Sequence, residues 1–216
     1  KLRLVQYDIH PFSYWRQQNG EPKELDISVK NLRLLLKNPF KPKKTRRAVD
    51  FFLLSYYLGG MNMADLLYYD FRGYKENPIL HYQRRKTANK KRGNKTIEFT
   101  IQPEAFPIID KYMNPKTGHL VEVSDSKYNT FLGLTNRALK RAAEKLGIHQ
   151  RISFYSARKS FVQHGFELGI PLETLEYCIG QSMKENRPIF NYVKIMRQHA
   201  DVAIRQILDN LKEENQ

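Results

Sequence analysis

Three segments of the 216-residue chain carry side chains able to do chemistry on an anion. The first is SFYSARKSF (153–161). It places Arg158 and Lys159 near the start of an expected helix, with Tyr155 three residues before the arginine. Backbone N–H groups at a helix start and a guanidinium can point at one anion together. The second is ILHYQRRK (79–86), whose apolar alternation reads as a strand. Side chains alternate faces along a strand, so Leu80, Tyr82, Arg84 and Lys86 share one side if it stays regular to its end. Lys86, at the hairpin tip, could then reach a phosphate or a base edge. The third is CIGQSMKENRPIFNYVKI (178–195), a Gly-Gln turn followed by a short helix bearing Tyr192. Each segment alone has a plain alternative: a chance Tyr-x-x-Arg pair, a solvated basic hairpin, a packed aromatic.

The elements that must position these residues are mostly helical. Helices are expected over 26–37, with Leu32, Leu35 and Leu36 on its apolar face, and from a Thr45 cap to Leu58, ended by Gly59 and Gly60. A short helix follows over 63–68. The period then changes to two, and 79–86 with 96–101 reads as a hairpin whose loop holds Gly93 and Asn94. Pro103 opens a helix to about Tyr112, and Ser126 or Asp125 caps a long one ending at Gly147. Segments 156–168, 171–178 and 186–195 read as helices, and 198–211 as an amphipathic one. Residues 1–24 show no clear period and read as a linker. The chain begins at Lys1 without Met and reads as a fragment. The expected class is mainly α with a small antiparallel β-hairpin sheet.

Charge narrows the partner. Lys and Arg number 37 against 22 Asp and Glu, a net charge of +15. A domain this basic is expected to meet a polyanion. The excess is clustered in KPKKTRR (41–47), with Lys43, Lys44, Arg46 and Arg47, and in RRKTANKKRGNK (84–95), with Arg84 and Arg85. A single cysteine, Cys178, excludes a disulfide scaffold and a cysteine-rich zinc site. The six histidines show no metal-ligand spacing. No apolar run is long enough for a membrane span. An RNA-binding role fits the charge, but the aromatics sit at helix-core spacing and form no stacking platform.

The order of these motifs resembles the catalytic domain of the tyrosine recombinase, or phage integrase, family over roughly residues 25–210. The resemblance rests on LGGMNMADLL (58–67), YQRRKT (82–87) followed by IQPEA (101–105), YSARKSFVQHGFELGIPLETLEYCIGQS (155–182) and FNYVKI (190–195). It implies the recombinase catalytic-domain fold, with 25–216 as catalytic domain and tail helix and 1–24 as the linker from an absent core-binding domain. It also implies a mechanism. Tyr192 would attack the scissile phosphate, giving a 3′-phosphotyrosyl enzyme and a free 5′-hydroxyl without metal or nucleotide cofactor. Arg158 would clamp the non-bridging oxygens. Lys86 would protonate the leaving 5′-oxygen. Arg84, Arg85, Lys159 and the 41–47 cluster would contact DNA.

The chain departs from the family at three places. Asn62 stands where the family's first arginine normally falls, as in a subgroup of mobile-element integrases. Tyr155 and Gln181 stand where histidine is usual. Asn62 and Gln181 can donate hydrogen bonds but no charge, and a phenol is a poor proton shuttle near neutral pH. Two readings follow: Arg84, two residues from Lys86 on the same strand face, partly replaces the missing guanidinium, or the domain binds DNA and cuts poorly. A topoisomerase-like nicking and resealing activity is a further alternative. The resemblance implies a cytoplasmic, DNA-associated bacterial protein of a mobile element or transposon. Its working form would be a homotetramer on DNA, and the isolated domain could be a monomer. The apolar face of 200–211 fits either a neighbouring protomer or its own domain.

Overall fold

The computed structural model describes residues 25–85, 96–181 and 196–212. Helix α1 spans Val29–Lys37 and starts at Ser28, whose Oγ accepts the Asn31 N–H at 3.3 Å. That start is three residues later than the sequence suggests. Leu32 and Leu35 are buried, while Leu36 lies outside the core. Helix α2 spans Lys43–Tyr57 and begins directly after Pro42, ahead of the expected Thr45 cap. Its residues from Phe51 to Tyr57 are all buried. Full burial of each large apolar side chain is worth about 1.5–3 kcal/mol, so α2 is the main structural post of the core. Tyr56 packs edge-on against Phe161, ring centres 5.9 Å apart, and Phe51 against Tyr112 at 5.1 Å.

Gly59 and Gly60 end α2, both with positive φ (64° and 73°). Helix α3 (Met63–Tyr68) follows, and Met63, Leu66 and Leu67 fill the core beneath it. Strands β1 (Ile79–Gln83) and β2 (Thr96–Thr100) pair antiparallel, with Leu80 opposite Phe99 and Tyr82 opposite Ile97. Those four side chains are buried and their neighbours face outward, the period of two read in the sequence. The strand stops at Gln83, short of Lys86. Two residues on, Arg85 N–H is taken by Asp65 Oδ1 at 2.9 Å and does not join the ladder. Lys86 and the loop with Gly93 and Asn94 lie outside the described residues, as do 1–24, the expected helix at 186–195, and Tyr192.

A single 3-10 turn (Pro103–Ala105) leads into α4 (Phe106–Tyr112). The long helix α5 (Asp125–Lys145) takes Ser124 as its N-cap, one residue ahead of Asp125. It lies against α2 and α6 (Phe154–Glu167). Helix α6 opens two residues earlier than expected because Ser153 N–H donates to Ser156 Oγ at 3.0 Å, fixing its first turn. Helix α7 (Leu172–Cys178) and α8 (Arg197–Asp209) close the bundle.

The apolar face of α8 packs on its own domain, burying Ala200, Ala203, Ile204, Ile207 and Leu208. Polar contacts hold it there. Asp201 accepts from Thr100 N–H at 2.5 Å and Thr100 Oγ1 at 2.9 Å. Arg197 pairs with Glu98 at 3.3 Å and Arg205 with Glu104 at 2.7 Å. No helix among the described residues is long and apolar enough to cross a membrane.

Candidate active site

Three glycine-bearing or helical turns meet around two arginines. Arg158 sits on the first turns of α6, only 5% exposed. Its Nη1 donates to Gly60 O at 3.2 Å. A Cβ on Gly60 would lie 2.8 Å from Arg158 Cα, so glycine is needed both for the positive φ and for the approach of α6. The turn after α7 repeats the device. Arg84 Nη1 donates to Gly180 O at 3.2 Å. Gly180 has φ 60°, and a Cβ there would meet Ile97 and Arg84 Cδ, the latter at 3.0 Å. Gly59 leans on the same turn, its virtual Cβ 3.2 Å from Cys178 O. Gln181 is exposed and follows Gly180 directly.

A buried carboxylate, Asp65, lies near the two arginines. It is 6% exposed, in the first turn of α3. It accepts from Arg85 N–H and from the Asn62 side chain. Burial pushes its carboxyl above the usual carboxylate range, opposed by that N–H, then by Arg84, Asn62 and Arg158. Burial, then the Arg84 cation, pulls the Arg158 guanidinium below its ordinary value. Two cations lie near one buried carboxylate, and an oxyanion placed beside them would relieve the remaining repulsion. Tyr82 lies beneath this group, its hydroxyl held protonated by burial and then by Asp65.

Above the carboxylate lies a cleft of about 460 Å³. Asn62 and Asp65 of the α2–α3 turn, Arg84, Tyr128 and Asn136 of α5, and Tyr155 of α6 line it. Tyr155 is 50% exposed and close enough to Arg158 to interact with its charge. Asn136 Oδ1 accepts Phe154 N–H at 2.8 Å, pinning the start of α6 to α5. Tyr128 takes the Ala64 N–H and fixes the start of α3 in the same way.

Of the residues singled out from the sequence, Asn62, Arg84, Tyr155, Arg158 and Gln181 gather at or beside this cleft. Lys86 and Tyr192 lie outside the described residues. Arg85 is committed elsewhere: its guanidinium stacks on Tyr68 at 3.9 Å and faces Asp125 at 3.7 Å. Lys159 is half-buried on α6, next to Arg158. The basic 41–47 cluster does not converge on the cleft. Lys43, Lys44 and Arg46 are exposed at the far end of α2, about 22 Å from Gly59–Gly60 at 1.5 Å per residue. Arg46 Nε donates to Phe40 O at 2.7 Å, and Arg47 lies 5.1 Å over the Phe131 ring.

Sequence reasoning missed Asp65 and Asn136. Asp65 had a signal, an acid three residues after Asn62 inside the apolar run MNMADLL. Asn136 had none, since a polar residue on a half-exposed helix is unremarkable. Cys178 is buried, its thiol pushed up to about 12 by burial, and serves packing. His149 is exposed and lines a neighbouring cleft. Among the described residues no three His, Cys, Asp or Glu side chains converge as a metal site.

The fold is the tyrosine recombinase catalytic-domain fold. An integrase from mycobacterium phage Brujita superposes with a TM-score of 0.59 at 17% identity, over 89% of this chain and 65% of that one. The recombinase XerA superposes with a TM-score of 0.52 at 14% identity, over 89% of this chain and 66% of its own. The chain thus spans just under two thirds of the length of either. No family model matches the sequence, and no curated protein matches it.

Proposed function

We propose that the chain is the catalytic domain of a site-specific DNA recombinase of the integrase type, working through a 3′-phosphotyrosyl intermediate. The observation that carries this is the seat of Arg158. The fold buries its guanidinium, tethers one nitrogen to Gly60 O, and sets Arg84 beside it at the edge of an open cleft. A cation held this way is a preorganised clamp for an oxyanion.

In the proposed reaction the scissile phosphate sits over Arg158. The Tyr192 hydroxyl loses its proton to solvent, and its oxygen bonds to phosphorus as the bond to the 5′-oxygen breaks. Lys86 gives its proton to that oxygen, and the diester persists as a tyrosyl ester, so no external energy source is needed. Arg84 supplies the second charge in place of the family's first arginine. This assignment is supported by its position: it lines the cleft with Asn62 and lies near enough to Arg158 and to Asp65 to interact with both charges. Asn62 contributes the hydrogen bond that holds Asp65, and Tyr155 and Gln181 are left as hydrogen-bond donors at the rim. The same reading extends to integration or excision of a mobile element, with several copies of the domain acting on paired DNA sites, as the sequence resemblance implies.

The test is a nicked suicide duplex of the candidate attachment site, incubated with the protein and run on a denaturing gel. A covalent adduct lost on Tyr192→Phe is expected. A second reading, a DNA-binding relative that cuts poorly, is favoured by the neutral Asn62 at an arginine position. Tight binding of that duplex with no adduct would establish it.

A further inference from the structure

The outer edge of β2 is covered by α7 and α8. Tyr177 Oη of α7 donates to Glu98 O at 3.3 Å, and Asp201 of α8 accepts from Thr100 N–H and Oγ1. The polar side of α8 recurs every four residues, at Arg197, Asp201 and Arg205. Its partners recur along β2 and the turn after it, at Glu98, Thr100 and Glu104, with Gln102 also reaching Arg205. Four residues of helix rise about 6 Å and two of strand about 6.7 Å, so the two rows keep step.

At the first rung Glu98 has a second partner. It stands opposite His81 of β1. His81 N–H turns away from β2 and donates to Tyr69 Oη at 3.4 Å, so the two residues form a pair without ladder hydrogen bonds, the kind whose side chains lie closer. Glu98 Oε2 lies 3.5 Å from His81 Nδ1, while Oε1 accepts from Arg197 Nη1 at 3.3 Å. One carboxylate therefore touches β1 and α8 at once. In sequence His81 precedes Lys86 by five residues, and Arg197 follows Tyr192 by five. Five residues span at most about 17 Å, so the places where His81 and Arg197 are held bound the reach of both reacting side chains.

We infer that Glu98 is a positioning residue that yokes the strand leading to Lys86 to the helix following Tyr192, so that proton donor and nucleophile are set as a pair. The inference rests on the recombinase reading for the roles of Lys86 and Tyr192. Glu98 acts through His81 and Arg197, not on the phosphate. Ion pairs this exposed are individually weak, so each arm is worth about threefold in rate.

The test measures single-turnover adduct formation by the whole chain on the nicked suicide duplex and on the same duplex with sulfur as the bridging 5′ atom. Sulfur leaves as a thiolate without needing a proton, so the second duplex hides a defect in proton donation. On the oxygen duplex His81→Gln and Arg197→Gln are each expected to slow the reaction about threefold and Glu98→Gln about tenfold, with duplex affinity unchanged. Adding Arg197→Gln to Glu98→Gln is expected to slow it no further. On the sulfur duplex His81→Gln is expected to regain the unsubstituted rate, and Glu98→Gln to recover only to the rate of Arg197→Gln, which stays slow. Glu104→Gln breaks the Arg205 pair at the far end of the row, controls for the docking of α8 alone, and is expected to change neither rate. Circular dichroism melts confirm that the variants fold. Glu98→Gln at the unsubstituted rate, a loss matched by Glu104→Gln, or His81→Gln equally slow on both duplexes overturns the inference and leaves the recombinase chemistry standing. No adduct from the unsubstituted chain on either duplex removes the recombinase reading and the inference together.

Discussion

Gly60 gives its carbonyl oxygen to Arg158 Nη1, and its missing side chain is what lets Arg158 reach it. The virtual Cβ of Gly60 falls 2.8 Å from Arg158 Cα and 3.0 Å from its Cγ. The obstruction is backbone, which cannot swing aside. Gly60→Ala also forces φ 73° on a residue with a side chain, at about 1–2 kcal/mol. The expected result is a loss of about 2 kcal/mol or more in urea unfolding, together with weaker DNA binding as α6 shifts. A variant with wild-type stability and affinity would show that α6 tolerates displacement and that Arg158 is not held as described.

Arg84 separates two meanings of the same contact. If it only fills space beside Gly180, Arg84→Ala changes stability and leaves the reaction alone. If it replaces the missing arginine, its loss removes a preorganised transition-state donor, at about 10²–10³ in rate. The second outcome is expected, read as the rate of adduct formation at saturating protein, with DNA affinity changed far less. Arg84→Lys is expected to recover part of the rate, since it keeps the charge but not the planar fork.

Asp65 is expected to matter through the arginines. Asp65→Asn keeps hydrogen-bonding capacity toward Arg85 N–H but removes the negative charge nearest the two guanidiniums. Arg84 and Arg158 then repel without relief until a phosphate arrives. Adduct formation is expected to slow while salt dependence of DNA binding steepens. An unchanged salt slope would place Asp65 outside the electrostatics of the cleft.

Much of this was legible in the chain because the signals were local. The period of two in ILHYQ and the paired glycines after LLSYYL are set by neighbours in sequence. The errors were also local in cause. Extending the strand to Lys86 followed the alternation faithfully, but a carboxylate 20 residues away took the Arg85 amide. The site was harder. Arg158 could be read from a helix start, whereas the pairing of Arg84 with the turn after α7 joins residues 96 apart. No spacing rule contains that contact. The basic 41–47 cluster was plain as charge, and α2 carries it to the end away from the cleft, a distance that no local pattern states.

The seat of α8 gives a further stability prediction. Asp201 is the acceptor for both Thr100 N–H and Thr100 Oγ1. Asp201→Ala leaves a part-buried strand amide without that partner, a loss of about 1–3 kcal/mol. The same segment follows Tyr192, so weaker docking of α8 is also expected to slow adduct formation. Urea unfolding and the suicide-duplex gel read the two effects independently. A stable variant with full adduct yield would mean that the latch is not needed to seat the tail.

The back of α6 predicts a pH dependence. His164 Nδ1 lies 2.8 Å from Tyr56 Oη and Nε2 lies 2.8 Å from Ile27 O. A carbonyl can only accept, so Nε2 carries the hydrogen and Nδ1 accepts from the tyrosine. This is the neutral imidazole with both nitrogens used. Protonating Nδ1 would set N–H against the Tyr56 hydroxyl in a buried place. Burial accordingly pulls His164 below its ordinary value of 6.5, against the opposing Ile27 carbonyl, Glu167 and Asp26. A depressed folded-state value means that the unfolded chain binds the extra proton first. The stability contributed by neutral His164 is therefore complete above about 6.5 and is lost as pH falls toward the folded value. Urea midpoints are expected to drop between about pH 7.5 and about pH 5.5, and to drop less in His164→Gln, which is less stable at the higher pH but has no proton to gain. Equal drops in the two proteins would assign the acid sensitivity to another group.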